Sequence, residues 1–299
     1  MSVFNDIRTA FSRRDNALIQ LLLLNGLVFV ALVLIEALMR LTGTYLEYYP
    51  NVVRQLQLPS DLSALLRHPW TVLTYAFTHE SFFHILFNLL NLYWFGALIR
   101  EYLGDRRLVS LYILGALAGA ALFLLAFNLI PTLRTPGGVS LLGASAAVTA
   151  IIMAAATLLP EYTFMLFLFG AVRIKYIAAV VILLSVIAIN QGNAGGGLAH
   201  IGGAILGYVF IKQLQAGRDL GRPVQAVGDW ITRLVTGRPN LRVTRGGATP
   251  APAAAAPKKG GLAKPEQDEI DLILDKISRS GYESLSKDEK QKLFRASQR

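Results

Sequence analysis

The sequence predicts an all-α, polytopic membrane protein: a bundle of six transmembrane helices followed by a small helical cytoplasmic tail. Three observations carry this. Hydrophobic residues make up 54% of the 299 positions and charged ones only 16%, against roughly 45–50% and 25% in soluble domains. Six apolar stretches (17–39, 82–99, 108–130, 139–159, 174–189 and 195–211) approach the ~20 residues that cross ~30 Å of hydrocarbon. Basic residues fall on alternate connections, as the positive-inside rule requires when both termini are cytoplasmic.

Taken in order, residues 1–16 form a basic lead-in with Arg8, Arg13 and Arg14. The first span lacks a small-residue cleavage site and is longer than a signal-peptide core, so it is expected as a retained helix. The loop 40–81 is long for a membrane connector and holds Tyr45, Tyr48, Tyr49, Trp70 and Tyr75. Such aromatics suit the interface, and long loops are often functional. Arg100, Arg106 and Arg107 separate spans two and three, Arg173 and Lys175 open span five, and Lys212, Arg218 and Arg222 follow span six. Gly115-x3-Gly119 and Gly203-x3-Gly207 let helices approach closely. Glu161 and Arg173 bracket TFMLFLFGAV, which reads either as an interfacial segment or as the start of span five.

The core thus runs over 17–214, and 215–265 reads as a basic, then Pro/Ala/Gly-rich linker. Residues 266–299 predict a two-helix element. EIDLILDKI (269–277) has helical apolar spacing, Gly281 is a stop, and Ser286 with Glu289 forms a capping box.

The absence of cysteine excludes disulfides, zinc–thiolate sites and cysteine nucleophiles. Residues 215–264 hold nine Lys/Arg against two Asp/Glu within a chain of net charge +10. With no nucleic-acid fold signature beside it, this excess points to membrane lipids and not to nucleic acid.

The chemistry lies in polar groups embedded in apolar spans, which are costly there and usually functional. Spans two, four and six all begin on the outer side. They place His84, Ser145 and His200 within roughly 10 Å of one another in depth. A hydroxyl and an imidazole on neighbouring helices are the parts of a nucleophile and its base. Against this stand blander roles: a serine among Gly and Ala packs helices, and a single histidine is a satisfied structural group. From Leu108 to Arg218 the only carboxylate is Glu161, on the opposite face. Any catalytic unit is therefore a Ser145–His200 dyad without an acidic third member. His84 and Asn88 are spaced i, i+4 on one helix face. With the Ser145 amide they are candidate oxyanion donors, or else interhelical hydrogen bonds.

HESFFHILFNLLNLYWFG (79–96), GASA (143–146) and AHIGGAILG (199–207) together resemble the rhomboid family of intramembrane serine proteases, of bacterial type. The resemblance implies Ser145 as nucleophile, His200 as base, and His84, Asn88 and the Ser145 amide as the oxyanion site. It implies cleavage of transmembrane protein substrates near the outer interface of a bacterial inner membrane, without cofactor or metal. His68-Pro69-Trp70 resembles part of the family's interface-embedded first loop. Ala146 stands where the family usually has Gly, Thr149 where an aromatic often packs under the histidine, and Arg100 where a Gly-x3-Glu pattern has its acid.

The rivals are weaker. His79-Glu80 and His84 read H-E-x-x-x-H, which turns the histidines roughly 140° apart on a helix where zinc needs i, i+4. No pair of Asp sits in the spans for aspartyl chemistry, and no paired broken helices suggest a transporter. The alternative from another class is a catalytically inactive rhomboid-like protein that binds membrane clients.

Overall fold

The computed structural model describes residues 16–166, 170–236 and 264–297. The basic lead-in before residue 16 and most of the Pro/Ala/Gly-rich stretch lie outside the described residues. The chain divides into two compact units, Met1–Pro239 and Asn240–Arg299.

The first unit opens with α1 (Ala17–Leu41). The first loop then folds as α2 (Tyr45–Arg54), strand β1 (Leu58–Pro59), α3 (Leu62–Arg67), α4 (Thr71–Thr74) and a 3-10 turn at Tyr75–Phe77. Helices α5 (Phe82–Leu103) and α6 (Asp105–Leu129) follow, then β2 (Ser140–Leu141) and α7 (Ser145–Leu158). A hairpin of β3 (Thr163–Leu166) and β4 (Gly170–Arg173) leads to α8 (Ile174–Asn190), α9 (Ala194–Gln215) and α10 (Arg222–Thr236). Four of these helices, α1, α5, α6 and α9, are long and apolar enough to cross a membrane; α7 and α8 are apolar but shorter. The protein is a multi-pass membrane protein, mostly helical.

Helix α7 is the middle of the packing. It lies against α6 on one side and α9 on the other, and small residues set the spacing. A Cβ placed on Gly119 would lie 2.5 Å from the Ala146 Cβ, and one on Gly115 2.5 Å from the Ala150 Cβ. From the other side, a Cβ on Gly203 or Gly207 would lie 2.1 Å from the carbonyl oxygen of Ala146 or Ala150. Both Gly-x3-Gly pairs thus let α6 and α9 close on the same two turns of α7. Ala146, where the family usually has Gly, is accommodated because Gly119 supplies the missing bulk's space. Phe123, Leu111, Ile151, Phe210 and Ile211 fill the surrounding core.

The first loop is fastened internally and to the bundle. The Trp70 indole donates to the Gln55 carbonyl at 2.8 Å. The buried hydroxyls of Tyr75 and Tyr112 donate to the carbonyls of Ala116 and Ala76 at 2.6 and 2.7 Å, and Asn25 of α1 donates to Tyr112 at 3.0 Å. These bonds satisfy groups that would otherwise be costly in an apolar interior.

Three expectations need correction. Span four is not helical from residue 139: the chain runs extended to Gly143, and the helix begins at Ser145. Of the two readings of 160–173, the start of the next span is overturned: Thr163–Leu166 and Gly170–Arg173 pair as the antiparallel β3–β4 hairpin ahead of α8, so the fold is not wholly α. Ion pairs from Glu161 to Arg173 (3.0 Å) and to Lys175 hold its base. The expected linker at 215–265 contains a helix, α10, whose apolar spacing is hidden in a reading dominated by basic residues and by Pro223. Proline is tolerated in a first helical turn.

The second unit comprises α11 (Lys264–Ser280), a 3-10 turn at Tyr282–Ser284 and α12 (Lys287–Ser297). Gly281 ends α11 at φ +79°, a conformation that only glycine adopts freely. The Ser286 N–H donates to Glu289 at 2.7 Å and the Glu289 N–H donates to the Ser286 hydroxyl at 3.3 Å. This is a reciprocal capping box.

Candidate active site

The segment entering α7 is built by the first loop. Leu58 pairs with Leu141 and Pro59 with Ser140 in an antiparallel register. The Ser60 N–H donates to the Val139 carbonyl at 2.8 Å, and the Val139 N–H donates to the Ser60 hydroxyl at 3.0 Å. Gly143 then turns at φ +112°, and its N–H donates to the Tyr75 carbonyl at 2.8 Å. A side chain there would meet the His84 ring, whose Nε2 lies 2.7 Å from the position of a Cβ. Glycine is therefore required twice over, by conformation and by space. The turn aims the chain so that Ser145 becomes the first residue of α7. The earliest amides of a helix have no intrahelical acceptor, and among the described residues the Ser145 N–H makes no backbone hydrogen bond.

His79 and Asn88 hold this turn against α5. The Ala144 N–H donates to His79 Nε2 at 3.3 Å, which places the imidazole proton on Nδ1. Asn88 Nδ2 donates to His79 Nε2 at 3.2 Å and to the His84 carbonyl at 2.9 Å. Both hydrogens of the Asn88 amide are thus engaged within the protein.

His200 lies on α9 and is met by α8. Ser185 Oγ donates to the Val181 carbonyl at 2.7 Å and lies 3.1 Å from His200 Nδ1. A hydroxyl has one proton to give, so with that proton on Val181 the serine accepts from Nδ1–H. The Nε2 atom is then the unprotonated nitrogen. Thr149, one turn beyond Ser145, donates to the Ser145 carbonyl at 2.7 Å.

Ser145, His200, His84, Asn88, Thr149 and Ser185 all line one cavity of about 990 Å³. Among the described residues no direct hydrogen bond joins the Ser145 hydroxyl to His200. Hydrogen bonds of this kind are often long before substrate binds. All four residues singled out in the sequence are therefore brought together. Glu161 is not among them: it lies past the far end of α7, in its ion pairs with Arg173 and Lys175. Two residues were missed. Ser185 is the lone hydroxyl in the middle of an apolar stretch, the same signal that singled out Ser145. His79 was weighed only as a metal ligand, and nothing in its spacing reveals that its partner is a backbone amide 65 residues away.

Comparison with known proteins matches residues 66–215 to the Rhomboid domain family and residues 264–299 to a family of unknown function, DUF6576. The chain is 34% identical over 163 residues to the RHOMBOID-like protein 12, mitochondrial, of Arabidopsis thaliana, covering 50% of this chain and 47% of that protein. It is 31% identical over 162 residues to the Rhomboid protein 1, mitochondrial, of Saccharomyces cerevisiae, covering 52% and 45%. It is 29% identical over 163 residues to the Rhomboid-like protein 16, chloroplastic, of Arabidopsis thaliana, covering half of each. The chain spans about half the length of the curated relatives it matches. All three are organellar, and they lend no support to the bacterial assignment expected from the motifs. With the Rhomboid domain match reaching across half of its length, from the first loop to the end of α9, this chain belongs to the rhomboid family.

Proposed function

We propose that the protein is an intramembrane serine endopeptidase, with Ser145 as nucleophile and His200 as general base. The observation that carries this is the convergence of Ser145 and His200 on one cavity, with the far nitrogen of His200 engaged by Ser185. His200 Nε2 takes the Ser145 proton as the hydroxyl oxygen attacks the scissile carbonyl. The same proton goes to the leaving amine when the tetrahedral species collapses to an acyl-enzyme. Water then repeats the sequence to release the acid. The Ser145 N–H and His84 donate to the developing oxyanion. Asn88 contributes by exchanging one of its present acceptors.

The substrates are membrane proteins whose transmembrane helix unwinds locally, because a peptide bond inside a stable helix is hydrogen-bonded and shielded. Six crossings, with both termini on the cytoplasmic face, fit the arrangement best. Helices α7 and α8 pack among spans of the same bundle. His84, Ser145 and His200 lie early in α5, α7 and α9, while Arg100 and Lys212 lie near the other ends of α5 and α9. The second unit is an accessory on the cytoplasmic side.

The test is detergent-purified protein on a generic transmembrane substrate. Ser145→Ala and His200→Ala each abolish cleavage while the protein still folds, and a fluorophosphonate labels wild type at Ser145 but not the His200 variant. Cleavage by Ser145→Ala at the wild-type rate would overturn the assignment. The second reading, an inactive client-binding protein, draws on the lack of a direct Ser145–His200 bond. It requires that wild type bind the substrate without cutting it or reacting with fluorophosphonate.

A further inference from the structure

We propose that α10 is an in-plane membrane helix, its apolar stripe set in lipid and its basic edge binding anionic headgroups. The stripe is Val227, Trp230, Ile231 and Leu234, spaced i, i+3, i+4, i+7 on one face. These side chains are 55%, 59%, 49% and 64% exposed, so no described part of the protein covers them. The nearly opposite face is docked. Asp229 pairs with Arg106 at 3.2 Å, and the Gly221 carbonyl, just before the helix, lies 3.3 Å from the Ser110 hydroxyl, which it shares with the nearer Arg106 carbonyl at 2.8 Å. The connection from α9 is pinned as well, by Asp219 against Arg107 at 3.0 Å.

These anchors fix where the stripe lies. Spans α6 and α9 meet α10 at an end of each: Asp105 to Ser110 at the start of α6, and Gln215 seven residues before Arg222 opens α10. A helix held at two span ends lies in the boundary plane between hydrocarbon and water. An exposed apolar stripe there enters the acyl boundary, with tryptophan at the headgroup level. The charges choose the lipid. Arg222 and Arg233 fall within about 20° of each other on the wheel, on the polar flank between Trp230 and Asp229, and form no ion pair among the described residues. Arg100 and Lys212 sit at the same ends of their helices. This basic edge suits anionic headgroups and repels a second copy of itself.

The inference rests on α6 and α9 crossing the membrane. It is independent of Ser145 and His200, so Ser145→Ala protein serves equally in its test. The chain has no cysteine, so Ile231→Cys and Thr232→Cys each carry one thiol-linked bimane in the full-length protein. The protein is placed in phosphatidylcholine vesicles with and without phosphatidylglycerol. Lipid-borne bromine should quench the probe at 231 at least about twofold more than at 232, with iodide showing the reverse. Phosphatidylglycerol should deepen the quenching at 231, and Arg222→Gln with Arg233→Gln should remove that increment. Equal iodide access at both positions would place the stripe in water and overturn the proposal. So would protection at 231 that grows with protein density but resists brominated lipid, since a second copy would then be the cover. A response indifferent to phosphatidylglycerol would overturn the headgroup assignment.

Discussion

Ser185 Oγ lies 3.1 Å from His200 Nδ1 while donating its proton to Val181. This geometry keeps the other imidazole nitrogen free and steadies the ring where Thr149 stands in place of an aromatic. Losing such a bond is worth about 1 kcal/mol, or roughly fivefold in rate. Ser185→Ala should lower kcat by that order with KM little changed, and Ser185→Thr should recover most of the loss. A kcat that does not move would leave Ser185 as a packing residue.

His84 and Asn88 should separate under mutation. The His84 ring makes no hydrogen bond among the described residues and lines the cavity, so His84→Ala should lower kcat by about 10–10³-fold with a small change in thermal midpoint. Asn88→Ala also removes the bond to the His84 carbonyl and one of the two donors to His79 Nε2, so it should destabilise the fold by about 0.5–1.5 kcal/mol as well as lowering kcat. Steady-state kinetics beside thermal unfolding of each variant checks this. Unaltered kcat in folded His84→Ala protein would count against an oxyanion role.

Packing around α7 leaves no space at Gly203, where an added Cβ would lie 2.1 Å from the Ala146 carbonyl oxygen. Gly203→Ala should cost about 1–3 kcal/mol through forced separation of α7 and α9. Gly228→Ala, with nothing within 4 Å of the added carbon, should cost nothing comparable. Thermal midpoints in detergent decide it, and equal midpoints for the two variants would contradict the close approach.

In the second unit, Glu289 accepts from the Ser286 N–H and from Lys276. The Ser286 amide, with Lys276, holds its carboxyl down at about 2, below its ordinary 4.5. A depressed folded value means stability that is present above the unfolded value and lost as pH falls toward the folded one. Amide exchange in α12 of the full-length protein should therefore accelerate as pH drops from about 4.5 toward 2, after correction for intrinsic rates. Glu289→Gln should exchange faster at neutral pH and lose this dependence.

Periodic apolar runs and polar residues inside them made most of this legible in the sequence. Ser145, His200, His84 and Asn88 stand out as candidates that way and line one cavity, and the glycine contacts and the Ser286–Glu289 cap are legible too. What stayed hidden depends on contacts between distant segments. Extended backbone at 140–141 is selected by pairing with Leu58 and Pro59, which no local pattern encodes. The β3–β4 hairpin reads locally as one apolar run. His79 and Ser185 act through partners on other segments.

Helix α7 has 14 residues, a rise of about 21 Å where the hydrocarbon measures about 30 Å. At the end that begins with Ser145 the preceding residues 140–141 are extended and not helical, and the cavity runs along the first two turns of α7. The proposed hydrolysis needs water at a depth where lipid would otherwise exclude it. Replacing a turn or two of helix by the extended segment 140–141, which pairs with the first loop, leaves room for the cavity beside Ser145. Lengthening α7 toward residue 139 would fill that cavity, so under the proposed function the brevity of this helix is what lets water reach Ser145.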